Sequence, residues 1–532
     1  MDTDVVLFRP AYAPQLGSQL RITHAQLNII GGAGNVGGSI SAPVVGRIVD
    51  SRGTRILFAC AFLFLLGGYS GIRYIYDKGI PGDATSLSMF SFSLLILFGF
   101  MTGAGNHCGI TSALNTIAKT FPDRMRASAS GLVLSGLGLS AFLFSTISHA
   151  FFAGDTSSFL LLLAFGTALP MILGFFLVRP IPLPPNEEEI PLDTRHPEDD
   201  SSRTPLLEDS GDNVSGDDEE NGTGNDDNIP LFMTELLTFH LSTGQEDGDR
   251  NFTVTPSRVR GSSHTLATSS DLFPNVYGRR LWTSGDFWLL FTLLSLLSGT
   301  GLMYINNVGS MSQALYGYKN PQYNPIRASQ WQATQVSTIS VMNCAGRVFI
   351  GVISDWGKNR FGVPRSYSLM LVSFLFFISQ LATLFIDDIK NLWIASTLLG
   401  FAYGSLWPLF VTVCLEWFGM PHFSENWGYL SMSPMVSGNL FSIIFGRNFD
   451  AHEGVQMEDI PSPSASLKLI RDSDSTTSAD LRCFQGLECY VDTIYLTIGV
   501  TLLSILLSVW AGWRDKRRIR DGEADPAKFL VT

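Results

Sequence analysis

The stretch Gly46-Arg-Ile-Val-Asp50-Ser-Arg-Gly53-Thr-Arg55 stands where one long apolar segment ends and the next begins. Its two glycines let helix ends approach closely, Asp50 can accept from backbone N–H groups at the start of a helix, and Arg52 and Arg55 stay in water. It reads as a tight polar hinge between two membrane spans. The same opening recurs at Gly351-Val-Ile-Ser-Asp355, followed by Lys358, Arg360 and Arg365. A second hinge in the corresponding place is what two homologous halves would produce.

The composition agrees with a membrane protein. Of 532 residues, 45% are hydrophobic and only 15% charged, with 38 Phe and 51 Gly, too little polar material to cover a soluble globule of that size. The formal charge of −12 is concentrated in one place. Residues 181–281 hold 21 Asp/Glu against 7 Lys/Arg, a net of −14 that leaves about +2 for the rest of the chain. The acidity belongs to one segment and says nothing about nucleic acid. Cys60, Cys108, Cys344 and Cys414 lie inside apolar segments and read as small core residues.

The pattern predicts complete spans at about 26–48, 56–76, 88–119, 127–152 and 157–178, then 286–313, 331–354, 366–386, 392–418, 427–449 and 491–512. Before them, Val5-Val6-Leu7-Phe8 is too short to cross a bilayer, so the first helix reads as truncated. The expected division is 1–178 for a first helix bundle, 179–283 for an acidic segment, 284–513 for a second bundle and 514–532 for a tail. Arg47, Arg52 and Arg55, Lys119, Arg124 and Arg126, Lys358, Arg360 and Arg365, and the run Arg514-Asp-Lys-Arg-Arg-Ile-Arg520 fall on one side by parity. The positive-inside rule makes that side cytoplasmic. The last run is a membrane anchor, not a nucleic-acid patch.

Residues 180–281 open with Pro180-Ile-Pro-Leu-Pro-Pro185 and contain Asp217-Asp-Glu-Glu220. Such composition has nothing with which to build a core, and disorder is the expectation. Arg203-Thr-Pro-Leu206-Leu207 is close to a dileucine sorting signal, with Ser202 where an acidic residue would stand. Sorting adaptors at Leu206 and Leu207, with a vacuolar membrane address, stand beside the plain-linker reading and a plasma-membrane location.

The hinge spacing resembles the loop after the second helix of the major facilitator superfamily. Gly99-Phe100 with Gly103 also matches Gly400-Phe401 with Gly404. Asn343-Cys-Ala-Gly-Arg347, Glu416-Trp-Phe-Gly419, His422-Phe423, Trp427-Gly428 and the Cys-x5-Cys before Tyr490 resemble the nodulin-like branch, which is similar to monocarboxylate transporters. A long acidic central segment suits a fungal member. The resemblance implies an all-α membrane protein of two six-helix bundles, with a cavity between them that opens to one side at a time. Gly46, Asp50, Gly53 and Arg55 with Gly351 and Asp355 would then gate the cytoplasmic side. The alternative is a transporter-like receptor or inactive membrane protein signalling through its central segment.

No Ser/His/Asp, Cys/His or paired-carboxylate arrangement stands at a catalytic spacing, and no Gly-rich loop precedes a Lys. An enzyme, a cofactor and a metal site are not expected. Ionisable groups deep in lipid are the better signal, because each costs roughly 2.5–3.5 kcal/mol or more at a helix centre. His107, beside Asn106, stands near the middle of its span and could line the cavity, against the reading of a hydrogen-bonded core histidine. Arg347 lies eight residues before Asp355, roughly 12 Å in from the hinge at 1.5 Å per residue. Asn343 is one turn away on the same face. In the monocarboxylate transporters this chain resembles, an Asp and an Arg here help bind carboxylate and proton. Here Asn replaces Asp, which favours a monocarboxylate or another organic anion as the solute and weakens proton coupling on this helix. The equal alternative is that Arg347 pairs across the bundles as a gate. Cys483 and Cys489 share a polar loop placed outside by parity, and their spacing with Gly486 between them predicts a disulfide.

Overall fold

The structure, a computed structural model, describes residues 16, 19–22, 24–80, 87–152, 155–179, 275–318, 324–452, 483 and 485–524. The expectations for the truncated first helix, for the acidic segment and for Leu206 and Leu207 fall outside them. The described residues contain helices and no strand. In the first half, α1 is His24–Arg52, α2 Arg55–Lys78, α3 Met89–Thr120, α4 Arg126–Phe151 and α5 Thr156–Leu177. The second half has a short α6, Arg279–Thr283, then α7 Gly285–Tyr318, α8 Pro325–Phe361, α9 Ser368–Leu384, α10 Leu392–Phe418, α11 Phe423–Leu430, α12 Ser433–Ala451 and α13 Val491–Ala524. The helices before and after the central segment form one compact unit.

Nine candidate spans among the described residues are long and apolar enough to cross a membrane, against the eleven expected. The two that fall short are α1 and the α11–α12 pair. The run Gly31 to Ser41 in α1 is rich in Gly, Ser and Asn, which lowers its hydropathy. The span expected as one helix at 427–449 is broken, because Pro434 has no N–H to continue the ladder. The chain turns through Ser431 and Met432 before α12 begins. At the other end α13 runs to Ala524, twelve residues beyond the expected end of its span, because Arg514 and Arg518 on its extension both pair with Asp286 at the start of α7, at 2.9 and 2.6 Å.

Local chemistry sets the boundaries. Gly53 takes φ +83° between α1 and α2, a left-handed turn that glycine adopts at little cost. Ser88 and Asp155 cap α3 and α5 by accepting from Ser91 N (3.2 Å) and Ser158 N (3.1 Å).

The duplication is visible in the packing. A Cβ on Gly103 would lie 1.8 Å from the carbonyl oxygen of Gly34, and one on Gly404 would lie 2.1 Å from that of Asn343. Gly37 against Phe100 is matched by Gly346 against Phe401, at 2.2 and 2.1 Å from the carbonyl oxygen. Helices α1 and α3 therefore cross as α8 and α10 do, with backbones too close for any side chain. By this correspondence Arg347 stands where the first half has Gly38.

Candidate functional site

The two hinge carboxylates each reach into the other half. Asp50, near the end of α1, accepts from the backbone N–H of Glu425 at 2.9 Å and from Asn115 Nδ2 at 2.9 Å. Glu425 lies in the first turn of α11. Asp355, on α8, accepts from Ala127 N at 3.3 Å, Ser128 N at 2.7 Å and Ser128 Oγ at 2.7 Å, which are the first residues of α4. Each carboxylate thus satisfies orphan N–H groups and meets the positive end of a helix dipole in the opposite half. Close approach makes this possible. A Cβ on Gly46 would lie 2.1 Å from Ser424 O, and one on Gly351 would lie 2.6 Å from Ala127 O. Gly53 supplies the turn, and Arg55 is exposed.

Among the described residues, the second latch is built on close ion pairs and the first on hydrogen bonds. Arg365 is fully buried and donates to Asp355 Oδ1 through Nε (3.0 Å) and Nη2 (2.7 Å), to Asp123 Oδ1 (3.1 Å), and to Glu416 and the Asp123 carbonyl. Lys358 reaches Asp123 and Glu416, both at 2.6 Å. Asp123 belongs to the turn between α3 and α4, so the network also joins the halves. Asn359 Nδ2 adds a bond to Arg124 O at 2.8 Å. With both latches made, the bundles are held together at their arginine-rich end.

Deeper between the halves, Arg347 is 2% exposed. Its Nε donates to Asn343 Oδ1 at 2.9 Å and its Nη1 to the carbonyl oxygen of Leu134 in α4, both neutral acceptors. The guanidinium borders a cavity shared by Leu114, Leu134 and Leu137 of the first half and Trp407, Val411 and Trp427 of the second. The indole N–H groups of Trp407 and Trp427 have no hydrogen-bond partner among the described residues. The cavity measures about 10 Å³, roughly the space of one water and far below the ~300–1,000 Å³ of small-molecule sites. The conformation is therefore closed around Arg347.

Among the sequence candidates, Asn343 and Arg347 are brought together, and Asp50 with Gly46 and Asp355 with Gly351 meet opposite helices. His107 is 4% exposed and its Nε2 has no hydrogen-bond partner among the described residues. Asn106 is half-buried and lies about 100° round α3 from it. Cys483 and Cys489 are joined, with Cα atoms 6.0 Å apart, Gly486 between them at φ +67°, and the ring of Tyr318 beside that glycine. Sequence reasoning missed Trp407, Trp427, Asp123, Asn115 and the pairing of Arg365. The repeat does carry one signal, since Glu416 and Asn115 stand at the same distance after Gly404 and Gly103.

Comparison with known proteins agrees with this architecture. A "Probable transporter MCH1" of Wickerhamomyces anomalus is 26% identical over 91% of this chain and 84% of that protein. An "Uncharacterized membrane protein YMR155W" of Saccharomyces cerevisiae is 24% identical over 83% of this chain and 84% of that protein. The solved human organic anion transporter MFSD10 (TETRAN) superposes with a TM-score of 0.54 at 13% identity, over 95% of this chain and 96% of that one, which is a likeness of fold. The sequence model of the Major Facilitator Superfamily matches residues 1–432, and the chain belongs to that family of membrane transporters.

Proposed function

We propose that this chain is a secondary transporter of a small organic anion, working by alternating access, with Arg347 as the anion-binding group. The observation that carries the reading is the chemistry of the Arg347 cavity. The polar side chains on its wall are a guanidinium and two indoles, and none of the three has an acceptor atom. A donor-only lining in a low-dielectric site complements a carboxylate and leaves a neutral amide or hydroxyl half-paired. Asn343 holds the guanidinium in place.

In this reading the two latches shut the cytoplasmic side, and the anion reaches Arg347 when the bundles part. Breaking the bond from Arg347 to Leu134 O accompanies the parting, and the anion takes the place of that acceptor. The gate role of Arg347 and its binding role are then two phases of one cycle. Asn343 in place of a carboxylate assigns any proton coupling to another helix.

Purified full-length chain in proteoliposomes tests this with radiolabelled short carboxylates. Arg347→Gln is expected to abolish uptake, and Arg347→Lys to raise KM by about tenfold or more, because an ammonium loses the planar fork. Trp407→Phe and Trp427→Phe are expected to weaken uptake by roughly tenfold or more each, at about 1.5–3 kcal/mol per lost charge-assisted bond. Uptake of a neutral solute that neither Arg347 substitution changes would overturn the reading.

A further inference from the structure

We infer that the solute is a polyhydroxylated carboxylate, with its carboxylate held by Arg347, Trp407 and Trp427 and its hydroxyls by Asn35, Ser39, His107 and Thr111 of the first half. This rests on the anion reading above and names the part of the substrate which that reading leaves open.

The observation is that Asn35 Oδ1, Ser39 Oγ, His107 Nε2 and Thr111 Oγ1 in the first half have no hydrogen-bond partner among the described residues, as is also true of Asn115 Oδ1 and Arg126 Nε nearer the latched end. Three of the first four side chains are almost wholly covered, Ser39 at 2%, His107 at 4% and Thr111 at 1%. Buried polar groups are nearly always paired, so orphans gathered on two neighbouring helices call for an explanation.

Helical phase places them on one surface. On α3, Leu114 borders the Arg347 cavity and Asn115 donates to Ser424 of α11 at 2.7 Å. These two mark the side of α3 turned toward the second half. At 100° per residue His107 and Thr111 fall between them in phase. Gly105 and Gly109 point elsewhere, to Leu65 of α2 and Met171 of α5.

The side of α1 that meets the second half is marked in the same way. Gly46 packs on Ser424 O, and Gly428 packs on Ala42 O. Ser39 and Asn35 continue that side about one and two turns beyond Ala42, away from the hinge. Thr111 is about 4.5 Å and His107 about 10.5 Å along α3 from the level of Leu114, at 1.5 Å per residue. The orphan groups therefore run on from the Arg347 cavity, away from the latched end.

Their chemistry selects the occupant. Two hydroxyls, an amide oxygen and a ring nitrogen are neutral, and between them they both donate and accept. A second carboxylate could only accept, and would face Asn35 Oδ1 without a proton. An alkyl chain would leave all four unpaired. Hydroxyl groups satisfy each of them, and four sites spread over two turns suit more than one hydroxyl.

The test uses full-length chain in proteoliposomes, with uptake of radiolabelled glycerate and competition by unlabelled glycerate or propionate, its analogue without hydroxyls. Glycerate is expected to compete at least ~10-fold better than propionate, because a site built to pair hydroxyls strongly rejects the analogue lacking them. Thr111→Val and Ser39→Ala are expected to narrow that preference to roughly twofold with propionate competition unchanged. Thr111→Val keeps the volume, and unaltered thermal unfolding would show that it folds. Equal competition by the two acids in wild type, or equal weakening of both by Thr111→Val, overturns the inference and leaves the anion reading standing. Failure of both acids to enter or compete, with a neutral solute carried instead, overturns the anion reading and this inference with it.

Discussion

Glu416 of α10 and Asn115 of α3 occupy equivalent places in the two halves, and they hold opposite kinds of partner. Glu416 accepts from Lys358 and Arg365, whereas Asn115 donates to Asp50 and to Ser424. One latch is thus an ion network around a buried guanidinium, and the other is a carboxylate held by neutral donors and a helix end. The latches look alike in sequence because both begin Gly-x-x-x-Asp, and they differ in energetics because their third partner differs.

The two hinge carboxylates are therefore expected to differ in weight. Asp355→Asn takes from the fully buried Arg365 the carboxylate to which its Nε and Nη2 both donate, while Glu416 and Asp123 stay as counter-ions, a change that costs about 1.5–3 kcal/mol per charge-assisted bond. Asp50→Asn weakens a helix cap, at about 0.5–2 kcal/mol. Thermal unfolding of the purified proteins in detergent should show the larger drop for Asp355→Asn. Equal drops would mean that Arg365 does not depend on Asp355.

Asn115→Glu is expected to loosen the first latch. It removes the Nδ2 donor 2.9 Å from Asp50 Oδ1 and sets a second carboxylate beside the first, a repulsion of about 1–4 kcal/mol near a surface. Ala42, buried under Gly428, reports the result. Carrying Ala42→Cys in a background without the four free cysteines, the Asn115→Glu protein should react with a maleimide about tenfold faster than the Asn115 protein. Unchanged labelling would show that Asp50 does not hold α1 to α11.

The chain entering the second half is tied to the same latch. Val276 N donates to Phe418 O at 3.0 Å, Asn426 Nδ2 donates to Val276 O at 2.8 Å, and Tyr277 stacks on His422 with ring centroids 3.8 Å apart. Asn426 follows Ser424 and Glu425, which meet Asp50 and Asn115. Asn426→Ala should free this segment by about 1 kcal/mol, read as trypsin cleavage at Arg279 or Arg280 about fivefold faster. Cleavage at the parent rate would show that the Asn426 bond does not restrain the segment.

Joining Cys483 to Cys489 closes a short loop, for which chain entropy gives about 2 kcal/mol. Cys483→Ser is expected to lower the unfolding temperature by a few degrees and to leave Cys489 reactive. A peptide map without reduction should show the two residues linked in the parent protein. Two free thiols there would contradict the pairing.

Much of the architecture is legible in the chain because helices in lipid must satisfy their own backbone and turn apolar residues outward. That requirement writes long apolar runs, glycines where backbones meet, and basic loops between them. Gly46 to Arg55, its copy at Gly351, and the matched pairs Gly99 and Gly400, Gly103 and Gly404 carry the duplication. The depth of Arg347 follows from counting residues back from Asp355, and its bond to Asn343 follows from one helical turn. The broken span at Pro434 is also written in the sequence, although composition alone merges α11 and α12 into a single segment.

The partners across the bundles are decided by tertiary structure alone. Arg347 meets Leu134 O, Asp355 meets Ser128, and Trp407 and Trp427 share one cavity wall although 20 residues and a turn separate them. Helical periodicity fixes which residues share a face of one helix, but not how far each helix is rotated, tilted or shifted against its neighbours. Those quantities come from the summed packing of every contact, so the sequence determines that a buried arginine stands on α8, and only the fold decides that it lines one cavity with Trp407 and Trp427.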